Sequence, residues 1–82
     1  MKAHVYVTLK RSVLDAQGQT VADALKRMKY QGVVDVRQGK YFLLTLDDSF
    51  AGEDAARSEV ERVAREVLVN PVIEEFSFRL EQ

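Results

Sequence analysis

The segment Lys2-Ala3-His4-Val5-Tyr6-Val7-Thr8-Leu9-Lys10 decides the fold, because its side chains alternate between two chemical types. Every second residue is aliphatic, and these residues are Ala3, Val5, Val7 and Leu9. The residues between them are aromatic or polar, and these are His4, Tyr6, Thr8 and Lys10. A repeat of two residues is typical of a strand with one buried face. The segment therefore predicts a first strand with an aliphatic face and a second, more polar face.

A repeat of three to four residues follows the first strand. It brings Val21, Ala24, Leu25 and Met28 onto one side of a helix. Such a stripe predicts an amphipathic helix that ends before Gly32. Two residues could cap its start, Asp15 or Thr20, and we favour Asp15 because its carboxylate could accept hydrogen bonds from the free amides of the first turn.

The middle of the chain predicts a hairpin. Val33 to Val36 is a short β-branched run, and Tyr41 to Leu46 is a second run of residues that favour strands. Between them, Gln38-Gly39 supplies a glycine that tolerates a positive φ, as a tight hairpin turn requires. We therefore expect the second and third strands here.

The clearest helix follows from Glu53. Its apolar residues recur with the helical period, and they are Ala56, Val60, Val63, Ala64, Val67 and Leu68. Oppositely charged residues four positions apart, Glu53 with Arg57 and Glu61 with Arg65, lie on its outer face. Pro71 ends the helix, and residues 72–80 read as the last strand.

The order β-α-β-β-α-β predicts one α+β domain over residues 1–82. It suits a two-layer sandwich, with a four-stranded antiparallel sheet that carries both helices on one face, as in the ferredoxin-like plan. In that plan, the first and third strands lie at the centre of the sheet. The face away from the helices would then carry Tyr6, Tyr41 and Leu43, which is unusually apolar for a surface exposed to water.

Self-association would cover this second face. A chain of 82 residues buries only about 60% of the surface that its unfolded form exposes, so its core is small. Burying further apolar area against another copy would stabilise it at about 25 cal/mol per Å² before the costs of association. We expect a homodimer or a homotetramer, with Tyr6, Tyr41 and Leu43 as the contact candidates.

Composition narrows the function. The chain has one histidine, no cysteine, and 12 basic against 13 acidic residues, for a net charge of −1. This balance disfavours nucleic acid or an anionic membrane as a partner, and the lack of cysteine fits the cytoplasm. The longest apolar run, Tyr41 to Leu44, is too short to span a membrane. We expect no catalytic residues, no cofactor site and no metal site on this chain.

Basic residues at the ends of the strands are the candidates for a partner surface. Arg11 ends the first strand, whereas Arg37 and Lys40 flank the predicted hairpin turn. They could simply be solvated charges at the ends of elements. Alternatively, the guanidinium groups of Arg11 and Arg37 could bind carboxylates of a partner through paired hydrogen bonds.

Two other functions share this order of elements. Single-stranded RNA readers stack bases on aromatic residues of the two central strands, and the run Gly39-Lys40-Tyr41-Phe42-Leu43 together with Tyr6 is faintly similar. Leucines in the third strand and the overall acidity oppose that interpretation. A regulatory domain that binds a small molecule is the other alternative, although no polar constellation marks a pocket.

Four stretches of the chain carry a specific pattern, and they are Val5 to Lys10, Val13-Leu14-Asp15-Ala16-Gln17-Gly18, Val34-Asp35-Val36-Arg37-Gln38-Gly39-Lys40-Tyr41 and Asn70-Pro71-Val72-Ile73-Glu74. In this order, they resemble the PurS family, the small subunit of phosphoribosylformylglycinamidine synthase. Members of that family often have proline where this chain has Ala16, and both residues suit the first position of a helix. The resemblance extends over nearly the whole chain.

The resemblance implies a non-catalytic subunit of purine biosynthesis. In that enzyme, a glutaminase subunit releases ammonia, and a large synthetase subunit uses it with ATP and Mg to amidate formylglycinamide ribonucleotide. The small subunit is expected to bridge these two partners and to assist the transfer of ammonia. The resemblance assigns no catalytic residue to this chain.

Overall fold

The computed structural model describes all 82 residues, as three strands and two helices. The elements are β1 (Lys2–Leu9), α1 (Ala16–Arg27), β2 (Gly39–Thr45), α2 (Glu53–Val63) and β3 (Glu74–Glu81). A π-helical turn, Ala64–Leu68, continues α2. Neither helix is both long enough and apolar enough to cross a membrane.

The strands form one antiparallel sheet in the order β2-β1-β3. Val5 lies opposite Phe42 of β2 and Phe78 of β3, so apolar side chains from all three strands share one face. This is the face that α2 covers. The alternation along β1 therefore separates the two faces as predicted, and β1 is the only central strand.

The hydrophobic core lies between the aliphatic face and α2. It consists of Ala3, Val5, Val7, Val60, Ala64 and Val69, and larger apolar residues, mainly from β2 and β3, pack around them and are partly buried. Only 10 of the 82 residues are buried. This core is small even for a short chain, so the isolated protomer leaves much of its apolar surface exposed.

The second helix begins at Glu53 as predicted, but its end differs from the expected pattern. In the π-helical turn, the amide of Val69 donates to the carbonyl of Ala64, five residues earlier, at 3.0 Å. The wider turn adds one residue to the repeat. Val69 therefore enters the core, and Val67, which the uninterrupted helical period placed on the apolar stripe, is exposed.

The first helix begins where the sequence predicted, after Asp15. The carboxylate of Asp15 accepts a hydrogen bond from the Gly18 amide at 2.9 Å, which confirms the cap. The helix ends at Arg27, before Gly32. A side chain at Gly18 would collide with the carbonyl oxygen of Val36, so only glycine allows this close approach.

Residues 14–38, which we call the arm, extend away from the sheet. No residue of α1 belongs to the core. The protomer measures 51 × 27 × 14 Å. Its longest dimension is close to the combined length of a strand of eight residues and a helix of twelve placed end to end. Its radius of gyration is 16.2 Å, whereas a compact chain of this length would have about 12 Å.

The predicted four-stranded sheet is wrong, because residues 33–36 form no strand. Consequently, β2 is an edge strand rather than a central one. The predicted turn is also wrong, since the positive-φ glycines are Gly32 and Gly52, not Gly39. The placement of both helices on one face of the sheet fails as well, because only α2 contributes to the core.

Contacts at the base of the arm explain the missing strand. The Gln38 amide donates to the Asp15 carboxylate at 2.6 Å, and the Arg37 guanidinium donates to the Lys10 carbonyl at 3.1 Å. These bonds hold residues 36–38 beside the start of α1. The preceding valines therefore do not fold back onto the edge of β2.

Candidate interaction surfaces

The sheet face opposite α2, which we call the open face, carries an aromatic cluster. Tyr6 of β1 pairs with Tyr41 of β2, and their rings stack with centroids 5.6 Å apart. Leu43 lies on the same face of β2. These three side chains are 40%, 54% and 49% exposed, respectively, so the protomer itself does not cover them.

The single histidine belongs to this cluster. Its Nδ1 lies 2.6 Å from the Tyr41 hydroxyl, and its Nε2 lies 3.2 Å from a carboxylate oxygen of Glu81. The hydrogen bond from His4 is the main reason why the pKa of Glu81 is lower than usual. His4 thus links the aromatic β2 side of the open face to its charged β3 side.

The third strand makes the other side of the open face polar. Its residues on this face are Glu75, Ser77, Arg79 and Glu81. The open face is therefore apolar on the side of β2 and charged on the side of β3. Such a divided surface fits a partner that contributes both apolar contacts and ion pairs.

The three basic candidates lie at the same end of the sheet. The register places Thr8 of β1 opposite Gly39 of β2. Arg11 comes soon after β1 and Arg37 just before β2, so both lie near this end of the sheet, and Lys40 lies on the edge strand β2. Their environments differ. Lys40 pairs with Glu74 at 3.3 Å, whereas Arg11 is exposed and forms no ion pair.

The guanidinium group of Arg37 already forms hydrogen bonds within the protomer. Its Nη2 atom lies 3.1 to 3.3 Å from three backbone carbonyls, those of Leu9, Lys10 and Val13. The Leu9 carbonyl lies at the end of β1, and the other two belong to the loop that joins β1 to α1. Arg37 therefore fixes the base of the arm, which the sequence did not reveal because these partners lie 24 to 28 residues away.

Asp15 is the second anchor of the arm, and it is buried. Besides capping α1, it accepts the Gln38 amide. The backbone hydrogen bond from Gly18, followed by that from Gln38, lowers the pKa of Asp15 below its usual value of 3.8. The charged form is thus the one that the folded arm favours.

This pKa shift predicts a pH-dependent contribution to stability. Because the native pKa is lowered, the contribution is present above pH 3.8 and is lost as the pH falls through the native value. The loss in unfolding free energy caused by Asp15→Asn should therefore be largest near neutral pH and should vanish in acid. Urea titrations from pH 7 to pH 2 would measure it.

The exposed Asp48, which accepts no hydrogen bond, provides the control for that experiment. Asp48→Asn should leave the pH dependence of unfolding close to that of the unsubstituted protein. An Asp15→Asn deficit of the same size at every pH would contradict the assigned role of the carboxylate charge.

The surface also has two concave regions. An open groove of about 550 Å³ lies between α2 and β3, with Arg57, Phe76 and Phe78 among its lining residues. A smaller one of about 260 Å³ lies at the base of the arm, beside Asp15 and Lys40. No three histidine or acidic side chains are grouped to hold a metal ion.

These features define a class of protein: a small α+β chain with an incomplete core, an uncovered sheet face and an extended arm, built for contact with other polypeptides. The PurS family profile, described as phosphoribosylformylglycinamidine (FGAM) synthase, matches residues 2–82. The chain belongs to the PurS family. It is accordingly a small accessory subunit of that enzyme, which acts in purine biosynthesis.

Individual relatives agree over nearly their full length. The chain is 43% identical to phosphoribosylformylglycinamidine synthase subunit PurS of Bacillus subtilis, over 99% of this chain and 93% of the relative. The crystal structure of PurS from Methanocaldococcus jannaschii superimposes with a TM-score of 0.85 at 30% identity, covering 99% and 95% of the two chains. A chain in the structure of PurLQS from Thermotoga maritima gives 0.84 at 31% identity, covering 95% and 93%.

Proposed function

We propose that this chain bridges the glutaminase subunit and the large synthetase subunit of phosphoribosylformylglycinamidine synthase and assists the transfer of ammonia between them. The observation that best supports this role is the similarity to a chain of the T. maritima PurLQS structure, which covers 95% of the present chain. The exposed apolar surface of the protomer agrees with a role in assembly.

Bridging has a chemical benefit for an enzyme that uses ammonia. Free ammonia is diluted and largely protonated in water, and the ammonium ion is not a nucleophile. A subunit that holds two active sites in fixed contact keeps the nucleophile at a high effective concentration. In this scheme, the large subunit binds ATP and Mg, and the present chain carries neither. We place the assembly in the cytoplasm.

Self-association through the open face is part of this proposal. Tyr6 of β1 and Tyr41 and Leu43 of β2 present apolar surface on the open face, where contact with a second copy would exclude water. Large aromatic side chains supply much of the energy of such interfaces. The assembled form is a homodimer, or a homotetramer if a second surface also takes part.

Contact with the larger subunits is tested by co-elution. The unsubstituted chain should elute from a gel-filtration column together with both larger subunits, and it should retain that position when either one is present in excess. Elution of the chain by itself, with the two larger subunits unaffected, would reject the bridging assignment.

The basic end of the sheet is the proposed contact with those subunits. The double substitution Arg11→Glu and Lys40→Glu should weaken binding about tenfold or more, because each acidic replacement turns attraction to a partner carboxylate into repulsion. Calorimetric titration into the purified larger subunits would measure the loss. Arg37, which we also expected at this surface, is left unchanged because its guanidinium group holds the loop before α1.

Arg62→Glu is the control for this experiment, because Arg62 is an exposed cation on the outer side of α2. It should leave the affinity within about twofold, since the ion pairs of Arg62 with Glu59 and Glu66 are exposed to solvent, where such pairs contribute little. Equal losses for the control and for the double substitution would mean that the effect reflects net charge and not the basic end of the sheet.

A further inference from the structure

The far end of the arm, residues 26–30, is a short basic surface that we call the tip. Its cations are Lys26, Arg27 and Lys29, which are exposed and form no ion pair. No acidic residue lies in the tip or within two positions of either end. Cations in the last turn of a helix interact favourably with its dipole, which accounts for Lys26 and Arg27. Lys29 lies beyond the helix and needs another explanation.

Lys29 has a backbone conformation that favours glycine. Its φ is +64°, and it is the only residue other than glycine with a positive φ. The Lys29 amide donates to the Lys26 carbonyl and the Tyr30 amide donates to the Leu25 carbonyl, both at 3.0 Å. These two bonds form the Schellman motif, in which the left-handed position is usually glycine. A lysine costs free energy here that glycine would not, and such strain points to a function for the side chain.

Exposed apolar side chains alternate with the cations of the tip. Met28 is 66% exposed and Tyr30 is 59% exposed. No residue of α1 belongs to the core, so these side chains do not stabilise the packing of the protomer. A flexible methionine adapts to an uneven surface, and tyrosine is enriched at the centres of interfaces. An apolar pair beside three cations fits a protein surface with carboxylates around an apolar depression.

The tip is poorly suited to a phosphate group or a nucleic acid. The amides of Met28, Lys29 and Tyr30 all donate to carbonyls of the preceding residues, so they are not free to hold a compact anion. The C-terminus of a helix also carries partial negative charge. A long polyanion would extend beyond the tip onto a chain with 13 acidic residues and a net charge of −1. The chemistry therefore favours an acidic polypeptide.

We infer that the tip binds an acidic surface of one of the two larger subunits, while the basic end of the sheet contacts the other. A bridging chain needs two surfaces that two partners occupy at the same time. The Gln38 amide donates to Asp15, so the arm leaves the sheet and returns to it at one place. The 12 residues of α1 place the tip about 18 Å from that place. The inference rests on the proposed bridging role and assigns one surface to each partner.

The first test reverses charges at the tip. Lys26→Glu with Lys29→Glu should weaken binding to one of the larger subunits about tenfold or more, because attraction to carboxylates becomes repulsion. Affinity for the other subunit should stay within about twofold, since charges outside an interface contribute little. Calorimetric titration of the chain into each purified subunit measures both affinities.

The matched control introduces the same two charges on another element. Arg62→Glu with Arg65→Glu changes exposed arginines of α2 and of the turn that continues it. Losses for both subunits or for neither with the tip variant would overturn the inference, and so would equal losses with the control. If the unsubstituted chain does not bind both subunits, the bridging role fails and the inference fails with it.

A single substitution separates binding from folding. Lys29→Gly removes one cation and places the preferred residue at the left-handed position, so the urea midpoint of the isolated chain should stay the same or rise. Binding to the subunit that the tip contacts should nevertheless weaken about threefold. Its dependence on salt concentration should also become shallower. A change in the urea midpoint with unchanged affinity and salt dependence would overturn the role of Lys29 in binding.

Single-stranded RNA is the probe for the competing interpretation of the basic charge. Fluorescence anisotropy with a labelled oligonucleotide should show no binding that depends on the tip. RNA binding that is lost in Lys26→Glu with Lys29→Glu, while both subunits bind that variant normally, would overturn the assignment to a polypeptide partner.

Discussion

Replacing Tyr41 and Leu43 together by glutamate is expected to weaken self-association at least about 100-fold, which corresponds to roughly 2.7 kcal/mol. Both side chains lie half exposed on the apolar part of the open face, beside the stacked Tyr6 ring. In an assembled form, each glutamate would have to be buried without a partner or would hold the surfaces apart. Residues at the centre of an interface account for most of its energy, so the effect should be large.

The folded protomer should tolerate this change. Tyr41 and Leu43 point away from α2 and do not belong to the core. The free energy of unfolding at low protein concentration should therefore change by no more than about 1 kcal/mol, as is usual for exposed positions. Sedimentation velocity over a range of concentrations measures the association, and urea titration of the dilute protein measures the stability.

A double substitution elsewhere separates surface chemistry from position. Val67→Glu with Val72→Glu introduces the same two charges at exposed valines near the end of α2 and before β3. It should leave the association constant within about threefold, as expected for sites outside an interface. Equal weakening by both double variants would contradict the assignment of the open face as the self-association surface.

Local patterns predicted the elements whose stability is local or one-sided. The alternation around Val5 and Val7 defined β1 and its two faces, and the stripe around Ala56 and Val60 defined α2. Asp15 was identified as the cap because its bond to Gly18 spans only three residues. In each case, the residues that form the pattern lie only two to four positions apart in the sequence.

The missing strand could not be predicted from such patterns. Residues 33–36 have the composition of a strand, but their position depends on the bonds from Asp15 to Gln38 and from Arg37 to the loop after β1. These bonds join residues more than 20 positions apart and leave no periodic signature. Tertiary contacts of this kind override the intrinsic preference for strands. The same contacts give Arg37 its place in the fold, whereas the sequence suggested only a surface cation.

The π-helical turn is a second example. A continuous period of 3.6 residues assigned Val67 to the apolar stripe, but one extra residue in the turn brings Val69 to the core instead. The sequence pattern does not reveal this extra residue, because only the packing of the helix on the sheet shows which residue enters the core. The π-helical turn also leads the chain through Asn70 and Pro71 to β3. Before β3 begins, the Pro71 carbonyl accepts a hydrogen bond from the Lys10 ammonium group at 2.7 Å.

The bridging role itself predicts the largest effect on activity. With glutamine as the nitrogen source, the two larger subunits without this chain should amidate formylglycinamide ribonucleotide at least about 100-fold more slowly than with it, because ammonia released in solution loses its high effective concentration. With a saturating ammonium salt, the two rates should agree within about twofold, since external ammonia replaces the transfer step.

The most direct test of the proposed function compares four rates, measured with glutamine or with an ammonium salt, each with and without this chain. All four use the same preparation of the two larger subunits. The bridging role predicts that the chain raises the glutamine-dependent rate and leaves the ammonia-dependent rate almost unchanged. A glutamine-dependent rate that is the same with and without the chain would contradict it.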